Sequence, residues 1–195
     1  KAYQTLNEYT FKQQADDIRM KQLRRKARLA AAKGDKEAAK EALKQSLEFD
    51  LAVFKERCKQ YPTDLRLKYE YGHRLFQIRH YDDAIPLLQE ARSDPKSRDR
   101  CNLLIGRCFF EKGYHSAAID TFQEAIRLHE NPSDETGKDL NFRLGQAFEA
   151  VGRRDDALKI YSQVIQSDFN YRQGEVRKRI DDLRKREPDS NGPKE

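Results

Sequence analysis

Residues 102–125 read NLLIGRCFFEKGYHSAAIDTFQEA, and three positions in this stretch recur elsewhere in the chain. Ala118 follows Gly106 by twelve residues, and the large residue Phe122 follows that alanine by four. The same two offsets join a glycine, an alanine and a large apolar residue at two further places: Gly72, Ala84 and Leu88, and then Gly145, Ala157 and Tyr161. The chain therefore contains a repeated unit, whose glycines are 34 and 39 residues apart.

The repeated offsets predict a pair of packed helices in each unit. Small residues let two helices approach closely, and a large apolar residue fills the space between them. Turn glycines, Gly113 and Gly152, separate the two helices in the second and third units. One such pair cannot bury its apolar face alone, so we expect neighbouring units to stack.

This pattern of small and large residues resembles that of the tetratricopeptide repeat (TPR) family. Three consecutive motifs match it, at residues 68–91, 102–125 and 141–164. Arg79 occupies a position where a turn glycine is common in the family. The resemblance implies an all-α fold, namely a right-handed α-solenoid of TPR helical hairpins. We expect three motifs within residues 63–170, at about 65–98, 99–137 and 138–170.

The N-terminal segment, residues 1–62, is predicted to form a long helical hairpin. Ala27, Ala39 and Leu43 repeat the offset of twelve plus four, with Gly34 between the two helices, which indicates a degenerate repeat. This segment has 15 basic and 9 acidic residues, whereas the remainder has 24 of each. The whole net charge of +6 therefore lies in the hairpin.

The C-terminal residues divide into two predicted parts. Residues 171–186 place Val176, Ile180 and Leu183 on one helical face with charge elsewhere, as is typical of a capping helix that ends a solenoid. Residues 187–195, EPDSNGPKE, are predicted to be a disordered tail.

Composition limits the class of protein and its compartment. The 195 residues are 37% hydrophobic, and no apolar run approaches the eighteen residues of a membrane span. Three cysteines, Cys58, Cys101 and Cys108, cannot form a disulfide framework, and free thiols favour a reducing, cytoplasmic location. Because the chain begins with Lys1, we expect it to be a fragment or a processed product.

No motif in the sequence indicates catalysis. The four histidines form no HExxH pair, no cysteine spacing fits zinc, and neither a nucleophile elbow nor a phosphate loop is present. We therefore predict a non-enzymatic protein with no catalytic residues, no metal and no cofactor.

The resemblance implies a binding groove on the concave face, which the first helices of successive units line. The predicted partner-binding residues are Arg66, Tyr69, His73, Phe76, Arg100, Leu103, Arg107, Phe110, Phe142 and Gln146. Asp139 and Glu149 share this face and predict an acidic third motif. Aromatic rings and arginines are typical of interface hot spots, and arginine binds carboxylates through paired hydrogen bonds. We therefore expect a protein or peptide ligand with apolar anchors and acidic groups.

Three alternatives remain open. In the first, Tyr69, Phe76 and Phe110 only pack against neighbouring helices. In the second, the six cations within residues 19–28 bind nucleic acid or an anionic surface. The balanced charge of the remaining chain and the absence of aromatic residues within that run disfavour nucleic acid. In the third, the long N-terminal helices self-associate.

Overall fold

The computed structural model describes the backbone of residues 2–185 and the side chains of residues 8–185. Within these residues the protein is helical and contains no strand, which confirms the predicted all-α class. The predicted disordered tail, residues 187–195, lies outside the described residues, as does the last residue of the predicted capping helix.

Nine α-helices make up the described chain, and most are joined by short turns. Their bounds are α1 Ala2–Ala32, α2 Lys36–Gln60, α3 Leu65–Gln77, α4 Tyr81–Ala91, α5 Arg98–Glu111, α6 His115–Leu128, α7 Glu135–Ala150, α8 Arg154–Ser167 and α9 Glu175–Lys185. A 3₁₀ turn, Tyr171–Gly174, lies between α8 and α9. None of the helices in the described part of the chain has the length and apolar character needed to cross a membrane.

The helices stack in chain order. Each helix packs against the next one, from α1 through α9. The first helices of the three central pairs, α3, α5 and α7, also contact one another in succession, whereas α1 packs along α2 rather than along α3. The fold is therefore the predicted α-solenoid, with an elongated hairpin before it and a terminal helix after it.

Aspartate side chains fix where three of the helices begin. Asp35, Asp64 and Asp134 accept hydrogen bonds from backbone amides three residues further along the chain, at 3.0, 3.0 and 2.7 Å. The first amides of a helix have no partner within the helix, so a carboxylate at this position satisfies one of them. These caps place the starts of α2, α3 and α7.

The turns within the three central helix pairs share one backbone conformation. Gly113 and Gly152 have φ values of 81° and 76°, in the left-handed region that glycine adopts without steric cost. Arg79 holds the same place between α3 and α4 with a φ of 63°. The arginine therefore adopts the glycine conformation despite its Cβ atom.

The glycine and large-residue offsets correspond to direct contacts between the helices of a pair. A Cβ atom added to Gly72 would lie 2.9 Å from Cγ of Leu88. The equivalent pairs are Gly106 with Phe122 and Gly145 with Tyr161. Each large residue fills the space that its glycine leaves open, as the sequence predicts, and Leu88, Phe122 and Tyr161 are fully buried.

The N-terminal hairpin buries few side chains, and Phe54 is one of those that contact the solenoid. Met20, Val53 and Phe54 form its apolar cluster. The guanidinium of Arg74, on α3, lies 3.7 Å from the centre of the Phe54 ring. This cation–π contact links α2 to the first helix of the solenoid.

Candidate partner-binding site

A cleft of about 500 Å³ opens where α1 does not pack along α3. Its walls come from α1, α2, α3 and α5. The residues that line it are Arg24, Leu43, Ser46, Leu47, Asp50, Tyr69, Glu70, His73, Arg74, Gln77 and Arg100. We call this space the N-terminal cleft. It is the place in the structure where three predicted partner-binding residues, Tyr69, His73 and Arg100, lie together.

A network of charged side chains forms the floor of the N-terminal cleft. Oδ2 of the buried Asp50 lies 2.5 Å from Nη2 of Arg24 and 3.5 Å from Nε of Arg74. Arg74 also donates a 2.5 Å hydrogen bond to Oε2 of Glu70. Because Arg74 is held by two carboxylates and by the Phe54 ring, the floor is fixed before any ligand binds.

Tyr69 and His73 present stacked rings to the cleft. Their ring centres are 6.0 Å apart and their planes differ by 18°. Burial raises the pKa of Tyr69, while the positive charge of Arg100 acts to lower it. Burial and the Arg74 guanidinium lower the pKa of His73, so its imidazole is neutral at pH 7. The pair thus offers an uncharged, half-buried surface beside the exposed cation of Arg100.

Phe76 and Arg107 form a second group further along the same face, and Phe110 lies on the same helix as Arg107. The guanidinium of Arg107 lies 4.5 Å from the centre of the Phe76 ring. Phe76 also lies 5.7 Å from Tyr81, and Phe110 lies 5.1 Å from His115, each measured between ring centres. Both phenylalanines are partly buried. These rings therefore contact their own second helices, which is the packing role of the first alternative, and retain some exposed surface.

Arg66, Leu103 and Gln146 lie outside the N-terminal cleft. Arg66 is exposed in the first turn of α3. Leu103 is partly buried against the apolar cluster formed mainly by α6, α7, α8 and α9. The side chain of Gln146 accepts a 2.9 Å hydrogen bond from Nη1 of Arg143.

The structure corrects the prediction for Phe142, which is buried in the core. Its side chain has only 1% of its surface exposed. The ring centres of Tyr161 and Tyr171 lie 6.1 and 6.2 Å away. Tyr171 follows the third repeated unit and covers the position that the family pattern assigns to the groove. Phe142 is therefore a core residue in this conformation and offers no anchor surface.

The expected acidic end of the groove is also absent, because downstream arginines pair with both carboxylates. Nη2 of Arg172 lies 2.6 Å from Oδ1 of Asp139. Nη1 of Arg179 lies 3.2 Å from Oε2 of Glu149, and Oε1 of the same carboxylate accepts a hydrogen bond from the Tyr161 hydroxyl. The third motif is therefore neutralised rather than acidic.

Other charged residues of this face are not among the predicted positions. Asp50 lies in an apolar stretch of α2, and a carboxylate in such a stretch is a detectable sign of a buried ion pair. Arg143 and Arg172 carry no comparable signal. Their proximity depends on how the chain returns over α7 after α8.

Metal and thiol chemistry have little support in the described residues. Among residues 8–185, no group of histidine, cysteine, aspartate or glutamate side chains has the arrangement needed to hold a metal ion.

Burial raises the pKa of Cys58 and Cys101 to about 11 and that of Cys108 to about 12. All three thiols are therefore protonated at neutral pH, the less reactive form.

Comparison with known families identifies the class of protein. Three tetratricopeptide repeat models match residues 25–52, 69–135 and 139–168. The chain therefore belongs to the tetratricopeptide repeat family. Members of this family are protein-interaction scaffolds that bind protein partners and are typically non-enzymatic.

Solved structures of the protein MamA share the fold. One crystal structure of MamA has a TM-score of 0.58 and 22% identity, over 74% of this chain and 86% of MamA. A second MamA crystal structure has a TM-score of 0.55 and 21% identity, over 85% of this chain and 86% of the MamA chain. A structure of MamA from Desulfovibrio magneticus RS-1 has a TM-score of 0.54 and 15% identity, over 85% of this chain and 87% of the MamA chain. At these identities the likeness extends to the fold alone. No curated protein matches the sequence.

Proposed function

We propose that this protein is a non-enzymatic scaffold that binds a segment of a partner protein on its concave face, seated in the N-terminal cleft. The observation that carries this proposal is the meeting of Tyr69, His73 and Arg100 in one preformed cleft of about 500 Å³. Preformed clefts lined by a few fixed polar groups and aromatic rings are typical binding sites.

The charges of this face indicate the chemistry of the partner. Within the described residues, none of the three predicted arginines Arg66, Arg100 and Arg107 forms an ion pair with a carboxylate of the chain. Unpaired arginines beside half-buried rings favour a segment with both carboxylates and an apolar anchor. Tyr69 and Phe76 supply the surface for the anchor.

Selection from a displayed peptide library tests this proposal without knowledge of the natural partner. We expect the wild-type chain to enrich peptides that combine aspartate or glutamate with an aromatic or aliphatic residue. Arg100→Glu should weaken binding of these peptides by about tenfold or more, because a repulsive charge replaces a charge-assisted hydrogen bond. Tyr69→Ala should also weaken binding, through loss of the stacked surface.

Lys159→Glu is the matched control for charge reversal. Lys159 is exposed on α8, a second helix, and does not line the cleft. We expect this variant to bind the selected peptides as the wild type does. Equal binding by Arg100→Glu, with its helical content and thermal unfolding unchanged, would show that the cleft is not the binding site.

Self-association through α1 is the second candidate function, favoured by its exposed apolar side chains. Phe11, Ile18 and Leu29 are 62%, 57% and 51% exposed. Their spacings of seven and eleven residues place them on one helical face, away from the buried Met20. Sedimentation of the wild type and Ile18→Glu over a range of concentrations tests this role. A monomer mass for the wild type at every concentration would exclude it.

A further inference from the structure

The end of the N-terminal hairpin carries a concentrated positive charge. Residues 19–44 include the last part of α1, the turn at Gly34 and the first part of α2. They contain ten basic and three acidic residues, an excess of seven positive charges. Because the net charge of the whole chain is +6, the rest of the protein has a net charge of −1. We call residues 19–44 the hairpin tip.

Most of this charge is not balanced by carboxylates of the chain. All ten basic side chains of the hairpin tip are exposed. Arg24 pairs with Asp50, and Lys44 pairs with Glu48. The remaining eight form no ion pair within residues 8–185, namely Arg19, Lys21, Arg25, Lys26, Arg28, Lys33, Lys36 and Lys40. The hairpin tip is therefore a surface that attracts an anionic partner.

The hairpin tip extends beyond the contacts that join the hairpin to the solenoid. Asp50 and Phe54 of α2 both contact Arg74 of α3, and both lie C-terminal to the tip. α3 ends three residues after Arg74, whereas α2 continues for fourteen residues on the N-terminal side of Asp50. At the helical rise these fourteen residues span about 20 Å. Residues 31–38, at the end of the hairpin, are all exposed, so a large partner can reach them.

Two grooves between α1 and α2, of about 460 and 520 Å³, combine cations with an exposed leucine. Three basic residues and one leucine line each groove: Arg25, Lys26, Lys33 and Leu29 in the first, and Lys21, Arg24, Arg28 and Leu43 in the second. Leu29 and Leu43 are 51% and 54% exposed. Asp35, the one carboxylate among the residues that line these grooves, caps α2. Each groove thus surrounds an apolar side chain with positive charge.

We propose that the hairpin tip binds the surface of a membrane that contains anionic lipids. The lysine and arginine side chains contact the headgroup phosphates, while Leu29 and Leu43 enter the boundary between headgroups and acyl chains. The long stems of the basic side chains lie along this apolar boundary and leave their charges in water. This inference goes beyond the proposed function and does not depend on it.

The exposed leucines favour a lipid surface over other partners of the tip. Nucleic acid binds cations mainly through its phosphates, which leaves no role for Leu29 and Leu43. Residues 19–44 also contain no aromatic side chain on which a base could stack. A second copy of the tip would bring two surfaces of the same charge together, and these surfaces repel each other.

Co-sedimentation of the full chain with lipid vesicles tests the proposal. The probe is a vesicle of phosphatidylcholine with about 30% phosphatidylserine, and a vesicle of phosphatidylcholine alone is the comparison. We expect binding to the anionic vesicles that weakens as salt is added, and little binding to the neutral ones. The double variant Arg25→Gln/Arg28→Gln should bind the anionic vesicles about tenfold more weakly or less, because each cation near such a surface contributes about fivefold to affinity.

Lys159→Gln/Lys178→Gln is the matched control for the loss of two charges. Both lysines are exposed, and they lie on α8 and α9, far along the chain from the tip. The control has the same net charge as the tip variant, and we expect it to bind anionic vesicles as the wild type does. Arg25 and Arg28 do not line the N-terminal cleft, so the tip variant leaves the proposed peptide site intact.

A tryptophan at position 29 distinguishes a lipid surface from nucleic acid. The chain contains no tryptophan, so Leu29→Trp introduces a single fluorescent reporter. We expect its emission to shift to shorter wavelength with anionic vesicles, because the indole enters the apolar boundary, and to stay unshifted with duplex DNA. Val151→Trp is the matched control, since Val151 is 40% exposed in the turn between α7 and α8 and should show no shift.

The proposal is overturned if the wild type does not bind anionic vesicles, or if the lysine control weakens binding as much as the tip variant does. Vesicle binding without an emission shift for Leu29→Trp also overturns it, because the cations would then act without the leucines. Duplex DNA binding without vesicle binding would assign the tip to nucleic acid, and concentration-dependent sedimentation without vesicle binding would assign it to a second copy. Each of these outcomes leaves peptide binding in the N-terminal cleft untouched.

Discussion

Gly106 on α5 lies directly against the ring of Phe122 on α6, so closely that a Cβ atom added to the glycine would overlap three ring carbons. Phe122 is fully buried and cannot move away into solvent. The contact sets how near the two helices approach, and the equivalent contact recurs in the pairs before and after it.

Gly106→Ala should therefore lower the free energy of unfolding by about 1–3 kcal/mol, the usual cost of an overpacked core. Urea unfolding followed by circular dichroism measures this loss. The expected direction is opposite to the ordinary effect of this substitution, since replacing glycine by alanine inside a helix is otherwise favourable by about 0.5–1 kcal/mol.

Gly72→Ala is the matched control for this overlap. Its added Cβ would lie 2.9 Å from Cγ of Leu88, a smaller overlap than the 2.4 Å approach to the Phe122 ring at Gly106. We expect a change close to zero, because the helix propensity of alanine offsets the remaining crowding. Equal losses at Gly72 and Gly106 would mean that the rigid ring is not the cause.

Arg79→Gly should stabilise the protein by about 1 kcal/mol. The φ of 63° at Arg79 is costly for a residue with a Cβ atom and free of steric cost for glycine. Thermal or urea unfolding measures the gain. Gly113→Ala should lower the free energy of unfolding by a similar amount. Gly113 holds the equivalent turn with a φ of 81°, and no atom lies within 4 Å of a Cβ added there.

The contacts within each helix pair could be predicted from the sequence because they are local. Gly106 and Phe122 are sixteen residues apart, and their spacing is set by the length of two helices and one turn. The unusual turn at Arg79 was visible for the same reason, as a departure from the repeated pattern. Periodicity is a direct consequence of helix geometry, so it is readable without coordinates.

The C-terminal end of the groove could not be predicted in the same way. Asp139 is paired with Arg172, 33 residues later, and Phe142 is covered by Tyr171. Both contacts come from the irregular segment between α8 and α9, in which Arg172, Gln173 and Gly174 have left-handed backbone conformations. A repeat pattern describes each unit in an array but contains no information on the irregular turn that ends it.

Phe142→Ala distinguishes a core residue from a groove anchor. We expect it to lower the free energy of unfolding by about 3–5 kcal/mol, because it removes a buried ring between Tyr161 and Tyr171. Phe110→Ala should cost clearly less, since Phe110 is only partly buried. Urea unfolding of both variants measures the difference. A small loss for Phe142→Ala would favour its original assignment to the groove.

His129 joins the second and third repeated units through two carboxylates. Its Nδ1 lies 2.7 Å from Oδ2 of Asp99 on α5, and its Nε2 lies 2.9 Å from Oδ1 of Asp134, the residue that caps α7. Burial acts to lower the pKa of His129, but hydrogen bonds to both aspartates outweigh it and raise the pKa above its ordinary value. The charged imidazolium can donate to both carboxylates at once.

The stability contributed by His129 should therefore decrease as the pH rises. Because its pKa is higher in the folded than in the unfolded chain, the contribution is complete below the unfolded pKa of about 6.5 and is lost as the pH passes through the folded pKa. The stability difference between wild type and His129→Gln should thus shrink from pH 6 to pH 9. Taking this difference removes the effects of other titrating groups, His73 included. A difference that stays constant over this range would show that His129 is neutral in the folded protein.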